Sequence, residues 1–407
     1  EQDEEEPVEK KKAMINYQED IKLQKITSCN HNHVTSLDSA GPDFNHTTRT
    51  VNHHKKLRNK SNRKINNHLI RRHTKRTKVD NNNIFSSISP TLSGGTDLRK
   101  LLAKTNYNEH SEDISVNNDC YDNYDNLIND QEIDIIYIAL PTSLHLEWII
   151  SSLKAGKRVL VEKPATINSL EAKKIKEQYV SEKTFFTEAL MYLYHPQIKK
   201  VLEIIESGEI GDLLLIKSFF GQDILTKRNF LGFKKRKKIN PENRLYNKKM
   251  GGGAILDLGC YPISFTTIIA SLTSKVNYDN VQVLNIKKEI GETDVDLESY
   301  VELKFENGLK AIIGVSFAND LGKQTKIIGT KGELTIEDTW TANISQIKIK
   351  KNNEDKILNI NSVENIYSYE IEAISKCILE NKSKVDFPGL TIDNTIGNMK
   401  IIDKWLY

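Results

Sequence analysis

Residues 132–164, EIDIIYIALPTSLHLEWIISSLKAGKRVLVEKP, constrain the fold more than any other part of this 407-residue chain. Ile135 to Leu140 and Val159 to Val161 are short apolar runs rich in β-branched residues, the pattern of strands buried on both faces. Leu146 to Lys154 between them has helical spacing, and Ala155-Gly156-Lys157 supplies a glycine stop. A strand, helix, strand unit joins parallel strands, which open their carboxyl ends on one edge of a sheet, where doubly wound folds bind ligands. Pro141-Thr142-Ser143 and Glu162-Lys163-Pro164 are those two ends. A proline after a strand is often only a stop for the ladder; here the pairing of the two ends directs both into one crevice.

After Glu188 the pattern changes. Leu213 to Phe220, Val281 to Lys287, Tyr300 to Phe305, Leu309 to Phe317, Gln324 to Ile328 and Glu333 to Ile336 alternate or run apolar, and Glu306-Asn307-Gly308 is a hairpin turn. Helical spacing covers Ile198 to Glu206, Ala254 to Ser271, Ser368 to Glu380 and Asn394 to Trp405. The expectation is an α/β Rossmann-like first domain, then an α+β domain with a large, open, mostly antiparallel sheet.

Chemistry concentrates in two places. Moving a hydride at a carbinol carbon needs a cofactor, a group that handles the hydroxyl proton, and a charge that stabilises the alkoxide. Lys163 can supply the charge. In GGGAILDLGCYPI, residues 251–263, Asp257 and Tyr261 are four apart and share a helix face, with Gly259 expected to leave room for a ligand. A lone helical tyrosine is usually core or interface; as a base it would need its value near 10 lowered, and a nearby Lys163 cation would do so. Gly251, Gly252 and Gly253 follow the polar run NRLYNKKM rather than a strand, which favours a tight turn bringing the Asp257 helix to the substrate over a phosphate loop. Arg244 and Tyr246 just before it are candidate substrate contacts.

Together EIDIIYIALPTSLHLEW, VLVEKPAT with TEALMYLYHPQ, and NPENRLYNKKMGGGAILDLGCYPI give the chain from Asp119 to Tyr407 a resemblance to the glucose-fructose oxidoreductase, inositol dehydrogenase and rhizopine-catabolism family, in particular its dimeric dihydrodiol and D-xylose dehydrogenase branch. The resemblance implies NADP or NAD as cofactor. It implies that Lys163 stands beside the nicotinamide and the reacting hydroxyl, that the Lys163–Pro164 bond is cis, and that Asp257 and Tyr261 are the substrate-binding acid and the catalytic acid/base. Pro141, Thr142, His145, Glu162, Lys163, Pro164 and Glu188 then line the cofactor cleft, with His145 a structural cap rather than a metal ligand, and His195 lies at the join between domains. Leu193 stands where many relatives have Arg. The sheet implies a homodimer. The expected function is an NAD(P)-dependent oxidoreductase acting on a small molecule, a sugar, polyol or vicinal diol; the alternative is a non-catalytic relative that has lost its cofactor and serves in assembly or binding.

That alternative stays open because of the first third of the chain. Relatives begin with a strand and GxGxxG, but here only Gly41, Gly94 and Gly95 precede residue 150. Ile84 to Ile88 and Thr96 to Lys104 read as a second strand and helix, with Thr96-Asp97-Leu98 in the turn that selects the 2′-phosphate and no Arg there. From Arg49 to Lys78 there are twelve Lys or Arg and no acid, and seven of the ten histidines precede residue 80. Such a segment buries too little to offset its ordering entropy. The expected division is a disordered low-complexity extension over 1–83, an incomplete dinucleotide-binding domain over 84–187, and a substrate and dimerisation domain over 188–407. Nucleic-acid binding by the basic run is the weakest reading. Four scattered cysteines argue against zinc or a disulfide framework, no window approaches 18 apolar residues, and no leader follows Glu1, which together lead to the expectation of a cytoplasmic protein with no metal and no membrane partner.

Overall fold

The computed structural model describes residues 23–26, 121, 123–179, 184–228, 233–352, 354–362 and 364–407. All of them fall in one of the chain's two units; the other, Ser28–Ser86, lies outside the described residues. The first sheet is parallel, with β1 (Leu23–Ile26), β2 (Ile135–Ile138), β3 (Arg158–Glu162) and β4 (Phe186–Ala189) side by side in that order. Connecting helices are α1 (Tyr124–Asn129), α2 (His145–Lys154) and α3 (Ser169–Tyr179). Alternate residues of each strand enter opposite layers. Ile136, Ile138, Val159, Val161 and Phe186 pack with Ile149, Leu153, Ala172 and Ile175 on one face, while Ile135, Tyr137 and Leu160 face the other. Coverage on both faces is why β2 and β3 read as unbroken apolar runs.

Strand β1, Leu23–Ile26, falls within the expected extension over 1–83 and pairs in register with Ile135–Ile138. The rest of residues 1–83 lies outside the described residues, as do the expected strand Ile84 to Ile88, the helix Thr96 to Lys104 and the Thr96-Asp97-Leu98 turn.

The second domain follows α4 (Pro196–Glu206). Its sheet contains β5 (Leu213–Gly221), β8 (Gln282–Ile290), β9 (Asp296–Lys304), β10 (Lys310–Ser316), β11 (Thr325–Gly329), β12 (Glu333–Ile336), β13 (Gln346–Lys351) and β14 (Glu354–Asn359), while β6 (Thr226–Arg228) and β7 (Lys234–Arg236) form a separate hairpin. The order is β14-β13-β12-β11-β5-β10-β9-β8, antiparallel except for the β5–β10 pair. The β9–β10 turn is the expected one: Gly308 has φ +87° and Asn307 Oδ1 accepts from the Leu309 amide at 3.1 Å.

Helix α5 (Ala254–Ser271) packs on β5, β9 and β10. The stretch Lys248–Ser271 is long and apolar enough to cross a membrane by length and composition, against the expectation that no window approaches this, but its apolar window is buried within the protein, in the core helix α5. Helices α6 (Ile366–Leu379) and α7 (Ile392–Leu406) return to the first domain: Ile374, Cys377 and Ile378 cover the second face of the parallel sheet, and Ile392 and Ile396 join the first. Between α7 and α5 lies Trp405, fully buried, its Nε1 donating to Ser299 Oγ at 2.8 Å. Trp405→Ala leaves a cavity against α5 and is expected to cost about 3–5 kcal/mol in urea unfolding; a loss under about 1 kcal/mol would mean that this seam does not hold the domains.

Candidate active site

Strand β3 carries the chain out of the core at Glu162, and Lys163 turns towards α5 across a cis peptide to Pro164. Its Nζ donates to the Asp257 carbonyl at 2.7 Å and pairs with Asp257 Oδ1 at 3.1 Å. Arg244 Nη1 meets the same Oδ1 at 3.1 Å. Both Lys163 and Asp257 are almost completely buried, with side-chain exposures of 8% and 3%. Burial alone would raise the Asp257 carboxyl, but the charges of Lys163 and Arg244 outweigh it and hold the group below the ordinary carboxylate value. Asp257 Oδ2 is buried with no hydrogen-bond partner among the described residues.

The glycine turn makes this approach possible. Gly251 and Gly253 have φ +81° and +113°, and a Cβ on Gly252 would stand 2.8 Å from the Arg244 carbonyl. Gly253 has no side chain to cap α5. Asp296 of β9 does so from outside, its Oδ2 accepting from the Ile255 amide at 2.7 Å, with burial pushing its carboxyl up to about 6. No local signal marks Asp296, because its partner is forty-one residues away in the chain. On the other side of the turn the Thr142 Cβ lies 3.3 Å from where a Gly251 Cβ would be, so the β2 end, the β3 end and the start of α5 converge as the sequence suggested.

Tyr261 is one turn beyond Asp257, and the Lys163 ammonium lies 5.2 Å from its ring centroid. The hydroxyl, however, is directed to Met191 Sδ at 3.8 Å, and the ring packs edge-on against Phe220 with centroids 5.2 Å apart. The expectation that Lys163 lowers its pKa is corrected: burial dominates and holds the phenol well above 10. Gly259 is a second correction. A Cβ there would meet Trp405 Cζ3 at 2.9 Å, so the glycine admits the core tryptophan rather than a ligand.

The other candidates brace the crevice. His145 is buried with Nε2 2.8 Å from the Leu140 carbonyl and Nδ1 3.1 Å from that of Pro164, tying the β2 end to the cis loop. Burial lowers its pKa, and a neutral imidazole can donate to only one of them. Among the described residues no three His, Cys, Asp or Glu side chains group as metal ligands. Glu162 accepts from the Tyr137 hydroxyl. Pro141 precedes the short turn Thr142–Leu144, its carbonyl accepting from Leu144 N at 2.9 Å. Tyr246 is half-buried, its ring edge-on to Phe317, while Arg244, expected to face substrate, spends one donor on Asp257. His195 caps α4 through Nδ1, and Leu193 is buried in the core.

Two family models match the chain. The Oxidoreductase family, NAD-binding Rossmann fold, matches residues 91–189, and the GFO/IDH/MocA C-terminal domain matches residues 198–335. The chain belongs to the GFO/IDH/MocA oxidoreductase family. Trans-1,2-dihydrobenzene-1,2-diol dehydrogenase of Xenopus laevis is 27% identical over 284 residues, 69% of this chain and 80% of that protein. D-xylose 1-dehydrogenase (NADP(+)) of Hypocrea jecorina is 30% identical over 186 residues, 44% of this chain and 46% of that one. The fold is similar to that of KijD10, a 3-ketoreductase from Actinomadura kijaniata in complex with NADP and TDP-benzene, with TM-score 0.57 and 21% identity over 70% of this chain and 80% of that chain. The Rossmann-fold match of this chain begins at residue 91, ahead of Asp119 and inside the residues that the structure does not describe.

Glu188 gives a test of this electrostatic frame. It accepts from the Ala165 amide at 3.1 Å and Thr395 Oγ1 at 3.0 Å, and burial pushes its carboxyl up from 4.5 to about 7. A raised folded value means that its contribution is fully present below 4.5 and is lost as pH rises through about 7. Glu188→Gln mimics the protonated form, so denaturant unfolding is expected to show the variant gaining on the wild type between pH 5 and pH 8. A stability difference flat with pH would contradict the burial argument.

Proposed function

We propose that the chain is an NAD(P)-dependent oxidoreductase that transfers a hydride between the nicotinamide and the carbinol or carbonyl carbon of a sugar, polyol or vicinal diol. The observation that carries this reading is the buried Lys163–Asp257 pair at the carboxyl edge of a parallel sheet, with Asp257 Oδ2 left without a partner. Burying an ammonium, a carboxylate and an orphan oxygen costs stability in a purely structural site. It suits a site that receives hydroxyls.

The residues fit the nicotinamide half of such a cofactor, since Thr142, Glu162, Lys163 and Pro164 come from the two adjacent strand ends that open on one edge. The dinucleotide supplies or accepts the hydride. Lys163 neutralises negative charge developing on the substrate oxygen, where a charge-assisted hydrogen bond in a dry site is strongest. Asp257 Oδ1 fixes that ammonium, and Oδ2 accepts from a substrate hydroxyl. Tyr261, kept protonated by burial, is suited to giving a proton to the oxygen as a carbonyl is reduced, its charge then lying beside the Lys163 cation. The dihydrodiol and xylose relatives support a substrate with neighbouring hydroxyls.

We infer further that a second copy covers the sheet face opposite α5. Phe219, Tyr300, Leu215, Ile312 and Ile328 alternate with core residues and are only half-buried there. Gly314 sits between Tyr300 and Phe219, whose rings would stand 2.7 and 2.8 Å from a Cβ, so the two aromatics form a continuous apolar strip. Light scattering is expected to give a dimer at micromolar concentration, and a monomer would count against this face.

Lys163→Met and Tyr261→Phe are each expected to lower turnover on a diol and aldose panel by about 10²- to 10⁴-fold while circular dichroism stays unchanged. Near wild-type rates in both variants would remove the proposed chemistry.

A further inference from the structure

The segment joining β12 to β13, EDTWTANIS, residues 337–345, is longer than the roughly two to five residues that a hairpin connection needs. Its bonds converge on the placement of one side chain. Asp338 is buried, with Oδ1 accepting from the Thr341 amide at 2.9 Å and Oδ2 from the Thr341 hydroxyl at 2.6 Å and the Asn343 amide at 3.2 Å. Its carbonyl accepts from Gln197 Nε2, in the first turn of α4, at 2.8 Å, and the Thr339 amide donates to the Lys323 carbonyl at 2.9 Å. These bonds fix the backbone on both sides of Trp340. The indole is fully buried, and its Nε1 donates to the Phe219 carbonyl at 2.8 Å.

What the indole meets is Tyr261, with ring centroids 6.0 Å apart and planes at 63°. Trp340 also stacks on Phe220 at 5.9 Å, and Phe220 is the ring that approaches Tyr261 edge-on. Tyr192 stands edge-on to Trp340 at 5.2 Å and tilted against Tyr261 at 5.8 Å, its hydroxyl donating to the Tyr261 carbonyl at 3.2 Å. Three rings from three separate elements, the turn after β4, strand β5 and the 337–345 segment, therefore enclose one phenol. A free tyrosine moves among staggered rotamers, and such an enclosure selects one of them. It also removes water. Burial is the largest influence on the ionisation of Tyr261, and Tyr367 of α6, Cys260 and Asp257 of α5 and Glu162 of β3 act in the same direction. Lys163 is the cation that faces the ring.

We propose that Trp340 is a positioning residue for the reaction: its indole sets the aim of the Tyr261 hydroxyl and keeps that phenol dry, without itself touching substrate. This rests on the oxidoreductase reading above and deepens it. A proton donor acts only within hydrogen-bond reach of the oxygen it serves, and a small misplacement of a reacting group costs a large factor in rate. The Asp338 turn explains how a residue seventy-nine positions after Tyr261 in the chain is held rigidly enough to serve as that wall.

Trp340→Gln tests this, because it sets an amide and room for water against the phenol, whereas Trp340→Phe keeps an apolar ring there. Ultraviolet difference titration reads the phenol with no substrate present: subtracting the Tyr261→Phe form of each protein isolates Tyr261. In Trp340→Gln its ionisation is expected to begin at least about one pH unit lower than in the wild type. At neutral pH, kcat on the best substrate of the diol and aldose panel is expected to fall by about 10- to 100-fold, with KM changed by less than about twofold. Trp340→Phe is expected to restore most of both. If Trp340→Gln does not fold, Trp340→His, which keeps a ring and a donor, is read in its place with the same direction expected. A lowered Tyr261 titration with no turnover by the wild type would uphold the indole's control of the phenol and remove the oxidoreductase reading. Turnover by the wild type, with the Tyr261 titration and kcat unmoved in the variant, would overturn the inference and leave that reading standing. A fall in kcat with the titration unmoved, or one matched by Trp340→Phe, would also overturn it.

Discussion

The Lys163–Asp257 ion pair is the contact on which the rest of the site depends. It joins the end of β3 to the first turn of α5, residues ninety-four apart in the chain, across the boundary between the parallel sheet and the large mixed sheet. Taking both charges out of water is expensive, and a buried pair is stable only when its remaining donors and acceptors are satisfied. Lys163 meets this condition in part through the Asp257 carbonyl, and Arg244 adds a second cation to the same oxygen. The other elements serve that geometry: left-handed glycines let the helix start close to the β2 end, Asp296 caps it from a neighbouring sheet strand, and His145 fixes the cis loop that aims Lys163.

Around this pair, burial pushes up three other buried acids, Glu188, Asp296 and Glu370. Glu370 of α6 is buried, has Oε1 without a partner among the described residues, and is pushed well above the ordinary value by burial and then by the Glu162 charge. The raised value disfavours a second negative charge beside Glu162 and Tyr137. Glu188 and Asp296 are raised in the same way, each accepting a backbone amide that anchors a turn. Asp257 is the buried acid held low, because it alone among these faces two cations. Environment, not residue type, separates the proposed substrate-binding carboxylate from the others.

Much of this frame was legible in the sequence. Unbroken β-branched runs required strands covered on both faces, and a glycine-terminated helix between them required parallel pairing, which put Pro141-Thr142 and Glu162-Lys163-Pro164 on one edge. The four-residue spacing of Asp257 and Tyr261 required a common helix face. What the sequence could not show were contacts made at long range: Asp296 under the glycine turn, Trp405 against Gly259, and the burial that overrides the Lys163 charge at Tyr261. Strand β13 was missed because QIKIKK spends its outward positions on lysine, which hides a period of two among charges, and β14 because EDKILN is exposed at nearly every position and carries no period. Leu23–Ile26 was missed because four residues in a polar segment carry no period at all; only their pairing with β2 reveals them.

The family's glycine fingerprint is absent from the early chain, where Gly41, Gly94 and Gly95 are the only glycines before residue 150, yet the ion pair that would meet the nicotinamide is assembled. The central claim is that this pair still serves a dinucleotide. Fluorescence titration of the intact chain with NADH and with NADPH tests it directly. The account predicts saturable binding of at least one of them; no saturable signal from either up to millimolar concentration would contradict it.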